Sequence, residues 1–229
     1  ENRMNRFWHH AKAIKKGDNW IAETPLMNTN KPLWVYANVI YSMDKSVTGA
    51  GYYYGVYTVN SFNLSMLVHI ATPKQLKAAE VKSTMEPSLV IETFESDWEK
   101  EWFTYKPEFW SRKTHKVYDD KWKAPENAKL TFEARSAEPN KMVVGIDKYA
   151  IEIQLKGGSE WQKIILSAND FRNAFGEVLP GWAGIMELRL GTKETLKEKV
   201  DFENIKLDLG AEWDGEKPEF RKMYWTMDW

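Results

Sequence analysis

Hydrophobic and polar residues alternate with a period of two in short runs across the second half of the chain. The clearest run is Lys129–Arg135, where Leu130, Phe132 and Ala134 fall on one face. This alternation is typical of β-strands with one buried face. The same pattern predicts further strands at residues 89–94, 112–117, 142–146, 149–155, 161–166, 185–190 and 200–209. Asp147-Lys148 suits the turn between the strands at residues 142–146 and 149–155, or Gly157-Gly158 closes the second of these two strands.

The first part of the chain predicts a different mixture of elements. Residues 1–16 carry apolar side chains at helical spacing and end in Lys15-Lys16-Gly17, which predicts a short helix. Thr72 and Pro73 have the character of a helix N-cap and first helical residue. Runs rich in β-branched and aromatic residues predict extended segments at residues 20–25, 33–41, 52–59 and 62–70.

Short strands separated by turn signals favour an antiparallel sandwich over a βαβ sheet. We therefore predict an all-β, mostly antiparallel protein with a β-sandwich, an N-terminal β-rich extension and short helices. A polar stretch at residues 79–87 predicts the boundary between two domains, 1–86 and 87–229. The second domain ends in a charged, aromatic C-terminal tail from Ala211 onward.

Composition narrows the class of function. The chain has 229 residues, of which 43% are hydrophobic, a formal net charge of −1 and no cysteine. The balanced charge disfavours nucleic-acid binding. The lack of cysteine excludes disulfides, thiolate metal sites and a cysteine nucleophile. No apolar run approaches the roughly 18 residues that a membrane span requires.

Three blocks of the second half carry a resemblance. They are residues 89–95 followed by Trp98, then Trp161 through Asp170-Phe171 to residues 182–190, and last residues 201–207. In this order they resemble the galactose-binding-like jelly rolls of carbohydrate-binding modules, over residues 88–209. The resemblance implies a jelly-roll sandwich and an accessory role beside an enzyme. It does not identify a sugar, because one fold serves many functions.

The first eighty residues resemble a different group of proteins. Arg6-Phe7-Trp8, Glu23-Thr24-Pro25 and the segment starting at Leu33 resemble the trailing region of large bacterial α/β-hydrolase-type proteins. The Gly-x-Ser-x-Gly nucleophile motif of that group is missing here. The start at Glu1 predicts that a targeting segment was removed or that a longer polypeptide exists. We therefore expect a periplasmic or extracellular location.

Aromatic residues crowd one otherwise charged segment after the first predicted sandwich strand. Flat rings among charged side chains suit stacking on sugars with hydrogen bonds to hydroxyl groups. The alternative is that these rings pack the segment against the sandwich or a neighbouring catalytic domain, since exposed tryptophans normally need a partner. The candidate ligand-binding residues are Trp98, Trp102, Tyr105, Trp110 and Trp122.

A structural calcium ion is implied by the resemblance to carbohydrate-binding modules. Such modules often hold calcium between their first and last strands, and the matching positions are Glu95 and Glu203, with Asp201 two residues away on the same strand face. The family more often has aspartate where this chain has Glu203. The alternative is that these are ordinary surface carboxylates.

The sequence contains no convincing catalytic set. Carboxylates cluster at residues 92–120, but nothing places two of them across a cleft for glycoside hydrolysis. The adjacent His9 and His10 point in different directions on a helix and are interpreted as a solvated pair. We predict a non-catalytic accessory module that binds carbohydrate or docks onto an enzyme domain. Two alternatives remain: the C-terminal portion of a secreted α/β-hydrolase-like enzyme, and a free-standing glycoside-active enzyme with a carboxylate pair.

Overall fold

The computed structural model describes residues 6–50, 56–95, 97–104, 110–191 and 217–227. The chain divides into two compact units. The N-terminal unit is His10–Met85. The sandwich unit contains residues 6–9 together with the described residues from Glu86 onward.

The N-terminal unit is built from three separate pairs of antiparallel strands and one short helix. Within its described residues, each sheet has only two strands. The pairs are β1 (Ala13–Lys16) with β2 (Asn19–Ala22), β3 (Leu33–Val35) with β6 (His69–Ala71), and β4 (Asn38–Ala50) with β5 (Val56–Ser65), and the helix is α1 (Pro73–Ala78).

The helix predicted for residues 1–16 is wrong in the part that the structure describes. Ala13–Lys16 is a strand that pairs with Asn19–Ala22 across a tight turn. Gly17 has φ of +62°, a conformation that glycine adopts without the steric cost of a side chain. The two lysines that suggested the end of a helix are therefore the last residues of β1, and the glycine begins the turn of a β-hairpin.

The remaining elements of the N-terminal unit follow the sequence more closely. The strand predicted at residues 33–41 divides into β3 and the start of β4, and β4 runs on to Ala50. The predicted helical turn is confirmed: Thr72 caps α1, its side chain accepts from the backbone of Gln75, and Pro73 is the first helical residue.

The described residues of the N-terminal unit form almost no hydrophobic core of their own. Among its described residues, Leu26 and Leu76 are the buried hydrophobic ones. Large apolar side chains are exposed on β1, β2, β4, β5 and β6. A two-stranded hairpin without a packed face is at best marginally stable in water, so this unit lacks the usual source of stability.

The described residues of the sandwich unit form two four-stranded antiparallel sheets. One sheet has the order β7-β14-β9-β12 and the other β8-β13-β10-β11. This alternation of the chain between two sheets is the arrangement of an eight-stranded jelly roll, as predicted. The strands are β7 (Val90–Glu92), β8 (Arg112–Thr114), β9 (Lys129–Arg135), β10 (Asn140–Ile146), β11 (Tyr149–Leu155), β12 (Gln162–Leu166), β13 (Leu188–Gly191) and β14 (Glu219–Thr226).

A single hydrophobic core fills the space between the two sheets. Strands such as β9 send alternate side chains inward, as the period-two pattern requires. Leu130 and Phe132 from β9 meet Met142 and Val144 from β10, and all four are fully buried. The prediction for residues 129–135 is confirmed to the residue, and the predicted hairpin of β10 and β11 turns at Asp147-Lys148.

The last described strand of the sandwich is β14. The resemblance placed the last strand at residues 201–207, which lie outside the described residues. The position beside β7 is occupied by β14, which also pairs with β9. The aromatic stretch that was predicted as a tail is therefore a central strand of its sheet, and Met223 and Trp225 are buried in the core.

One short helix and two 3₁₀ turns complete the described part of the sandwich unit. They are α2 (Trp98–Glu101) and 3₁₀ turns at Lys116–Tyr118 and Ala168–Asp170. Across the part of the chain that the structure describes, no helix has the length and apolar character needed to cross a membrane.

Candidate binding cleft

A cleft of about 570 Å³ opens beside strand β7 in the sandwich unit. Its walls are the end of β7, the loop into α2, and the segment around the Lys116–Tyr118 turn. Phe94 and Asp97 have positive φ values of 58° and 70°, which bend the loop between β7 and α2. The lining residues are Ser88, Val90, Ile91, Glu92, Thr93, Glu95, Asp97, Trp98, Lys100, Glu101, Lys116, Lys121 and Trp122.

Glu92, the last residue of β7, is the buried carboxylate of the cleft. Its Oε1 accepts hydrogen bonds from the backbone N–H groups of Thr93 (3.0 Å) and Phe94 (3.3 Å). Its Oε2 accepts from the indole Nε1 of Trp102 at 2.8 Å. Since both oxygens are engaged, Glu92 holds the start of the bent loop and one core tryptophan in place.

Lys116 provides the positive charge that compensates Glu92. Its Nζ lies 2.8 Å from Glu92 Oε2 and 2.6 Å from Glu101 Oε2. The Lys116 side chain is 5% exposed and Glu92 is 7% exposed, whereas Glu101 is 56% exposed. The amine also lies 5.2 Å from the ring centroid of Trp122. Lys116 therefore has one buried partner and one partner that reaches solvent.

Trp98, at the start of α2, is half-buried at the edge of the cleft. Its ring packs edge-to-face on Phe94 at 4.9 Å and on Trp102 at 5.4 Å between centroids. The Nζ of Lys217 lies 5.5 Å from the Trp98 ring. Contacts with three neighbours fix the orientation of this ring, and it keeps some exposed surface.

An ion-pair cluster around Glu99 links α2 to two distant strands. Arg112, in β8, lies 3.4 Å from Glu99, and Lys217, just before β14, pairs with the same carboxylate. Burial lowers the pKa of Lys217 and of Arg112, because desolvation disfavours their charged forms. The cluster therefore holds α2, and with it Trp98, against the sandwich.

Trp122 is covered from the other side by residues 6–9. The imidazole of His9 stacks on its ring at 5.4 Å with an interplanar angle of 15°, and Phe7 meets it edge-to-face at 4.9 Å. His9 Nε2 lies 3.1 Å from Asp119 Oδ2. The interpretation of His9 and His10 as a solvated pair is therefore wrong for His9, while His10 is exposed.

The five predicted ligand-binding rings have different environments. Trp102, Trp110 and Trp122 are buried in the core, with exposed fractions of 2%, 8% and 7%. Their burial corresponds to the alternative in which these rings pack their segment against the sandwich. It leaves the three rings little exposed surface for a ligand. Trp98 is half-buried, and Tyr105 lies outside the described residues.

The predicted calcium ligands are only partly within the described residues. Glu95 is exposed at the rim of the cleft, whereas Asp201 and Glu203 lie outside those residues. Where side chains are described, no group of three or more histidine, aspartate or glutamate residues is arranged to hold a metal ion. Calcium binding stays a prediction.

The cleft has the chemistry of a polar binding site with an aromatic edge. Exposed carboxylates and ammonium groups at its rim accept and donate hydrogen bonds, and Asp97 and Lys100 pair there at 2.9 Å. Glu92 accepts from three neutral donors and pairs with the buried ammonium group of Lys116, so it lacks the freedom of a general acid or base. Recognition of hydroxyl-rich ligands suits this set better than proton transfer does.

Sequence reasoning missed the buried pair of Glu92 and Lys116. Glu92 belonged to a predicted strand and Lys116 to a charged segment, so neither stood out. The available signal was at Glu92, which directly follows the apolar run Leu89-Val90-Ile91. A charged residue inside a buried run normally needs an opposite charge.

No protein-family model, no curated protein and no solved structure matches this chain.

Proposed function

We propose that this chain is a non-catalytic accessory module whose sandwich unit binds carbohydrate in the cleft beside β7. The observation that carries the proposal is the half-buried ring of Trp98 among exposed acidic and basic groups in a cleft of about 570 Å³. Pockets for small ligands commonly have volumes of about 300–1,000 Å³ and combine apolar surface with a few polar groups.

The chemistry of the lining favours a sugar over an apolar or a strongly anionic ligand. The lining contains four carboxylates and three lysine ammonium groups, so neither sign of charge dominates. Such groups accept from and donate to hydroxyls, while an indole ring offers a flat apolar face. The jelly-roll fold supports the architecture of the proposed module but no particular ligand, because proteins of unrelated function share this fold.

The proposal is tested by glycan-array screening and affinity gel electrophoresis of the full chain and of Trp98→Ala. We expect retention on at least one polysaccharide, and we expect Trp98→Ala to weaken it by at least about tenfold, as for other buried aromatic anchors. The matched control is Trp161→Ala. Trp161 is also half-buried, but its ring contacts the guanidinium groups of Arg135 and Arg221 and does not line the cleft.

Thermal unfolding of both variants establishes whether the sandwich stays folded. Absence of retention on every polysaccharide would refute the proposal. Equal losses in Trp98→Ala and Trp161→Ala would assign binding to a different surface and would also refute it.

A further inference from the structure

The charges that line the cleft beside β7 do not cancel completely. Its described lining holds four carboxylates and three ammonium groups. Asp97 and Lys100 pair with each other at 2.9 Å. Glu95 and Lys121, which also line the cleft, carry opposite charges. These four side chains together contribute no net charge, so the excess negative charge belongs to the other charged residues of the lining.

Those other residues are Glu92, Lys116 and Glu101, which form a triad. Lys116 Nζ lies 2.8 Å from Glu92 Oε2 and 2.6 Å from Glu101 Oε2, so two carboxylates share one positive charge. Glu92 and Lys116 are buried, whereas the Glu101 side chain is 56% exposed. The excess negative charge of the triad therefore reaches the cleft at the Glu101 carboxylate.

Glu101 shares the cleft with the ring of Trp98. The two residues are the first and last of α2, and both line the cleft. Residues three apart in a helix are neighbours on its surface. An indole ring offers a flat apolar face, and a carboxylate accepts hydrogen bonds. The helix therefore presents a surface for the face of a sugar ring beside an acceptor for its hydroxyl groups.

We propose that Glu101 determines which sugars the cleft accepts: its carboxylate accepts hydrogen bonds from the hydroxyls of a neutral sugar and repels a sugar that carries carboxylates. This inference rests on the proposed carbohydrate binding at Trp98 and adds the class of ligand. An ionised carboxylate only accepts hydrogen bonds, and its bonds with donors are stronger than those between neutral groups. A carboxylate of the ligand would meet a like charge, and discrimination between ligands commonly depends on such repulsion.

Lys116 orients Glu101 but does not offer a site for an anion. Its ammonium group is 5% exposed and already contacts both Glu92 and Glu101. A carboxylate has about four acceptor positions, so the contact of Oε2 with Lys116 does not exhaust those of Glu101. An acceptor that is held in place before binding loses less conformational entropy when a ligand arrives. The triad therefore favours donors over anions at this point of the cleft.

The test compares neutral polysaccharides with acidic derivatives of the same backbone, by affinity gel electrophoresis of the full chain. The probes are galactan, galactomannan and mixed-linkage β-glucan, each untreated and after oxidation of its primary hydroxyls to carboxylates. We expect retention on at least one neutral probe and at least about tenfold weaker binding to its oxidised form. Glu101→Gln should weaken binding to the neutral probe by at least about threefold and reduce the difference between the two forms to less than about threefold.

Two further variants separate charge from other effects of the substitution. Glu101→Asp keeps the charge, and we expect it to keep the discrimination against the oxidised probe. Glu126→Gln is the matched control, since it changes the net charge of the chain equally at an exposed residue that does not line the cleft. It should leave both affinities within about twofold of those of the unchanged chain. Thermal unfolding shows whether each variant is folded.

Loss of discrimination in Glu101→Gln, with discrimination kept in Glu101→Asp and Glu126→Gln, supports the inference. Equal binding of the unchanged chain to neutral and oxidised probes overturns it, and so do equal effects of Glu101→Gln and Glu126→Gln. In both cases carbohydrate binding itself stands. Absence of retention on all three neutral probes also overturns the inference, whereas the proposed function is refuted only if no glycan of the array binds either.

Discussion

Among single residues, Lys116 and Glu92 show how a polar contact is kept inside an apolar region. Desolvation of two charges costs several kcal/mol for each ion. That cost is offset here because Glu92 accepts from three further donors and Lys116 contacts a second carboxylate and an aromatic ring. The pair joins the end of β7 to the 3₁₀ turn at Lys116–Tyr118, and therefore fixes two walls of the cleft.

The variant Lys116→Met should be strongly destabilising. It leaves the Glu92 carboxylate buried with no buried cation beside it, and loss of one partner from such a pair costs about 3–5 kcal/mol. The matched control is Lys100→Met, because Lys100 forms an exposed pair with Asp97 in the same cleft. Exposed pairs contribute less than about 1 kcal/mol. The measurement is the free energy of unfolding from urea titrations followed by tryptophan fluorescence. Equal losses in the two variants would contradict a structural role for the buried pair.

At the scale of elements, the sequence predicts strands well where one periodicity holds throughout. In β9, inward residues alternate without interruption, and the prediction matches the structure. In β14 the buried residues Phe220 and Met223 are three apart, because a register shift with positive φ at Lys222 breaks the alternation. A local irregularity of this kind is settled by pairing with β7 and β9, which a single sequence does not reveal.

The sequence predicts which segment of the chain forms the cleft, but it does not predict the contacts between the side chains there. The aromatic, charged segment after β7 was identified, and Trp98 and Glu95 do line the cleft. The burial of Trp102 depends on Glu92, ten residues earlier, and on Lys116, fourteen residues later. Contacts between residues separated in this way arise from the bend after β7, which no periodic pattern indicates.

The connection between β11 and β12 provides a test of backbone geometry. Gly157 has φ of +79°, and a Cβ at this position would lie 2.5 Å from the backbone nitrogen of Pro139. Gly158 has φ of +96°, with nothing within 4 Å of its Cβ position. Both substitutions by alanine strain the backbone, but only Gly157→Ala also forces a steric clash. We therefore expect Gly157→Ala to cost about 1–3 kcal/mol more than Gly158→Ala, measured by urea unfolding. Similar losses would contradict the close approach to Pro139.

At the scale of the whole molecule, the two units differ in how their surfaces are used. The sandwich unit buries aromatic and aliphatic residues from both sheets in one core. The N-terminal unit has two buried hydrophobic residues among those described, and many exposed ones. Burial of apolar surface is the main favourable term in folding, and among the described residues that burial is concentrated in the sandwich unit.

Hydrogen exchange measured by mass spectrometry should separate the two units. Amides in β9, β10 and β14 are expected to exchange only through global unfolding, because these are central strands packed on the core. Amides in β1 and β2 are expected to exchange near the rate of an unfolded chain, since every residue of that hairpin is exposed and its sheet has two strands. Urea at concentrations below those that unfold the sandwich should leave the amides of β9, β10 and β14 protected. The exchange rates of the amides in β1 and β2 should not change. Protection in β1 and β2 equal to that in β9 would show that the N-terminal unit shares the cooperative unfolding of the sandwich, and would contradict the separation of the two units.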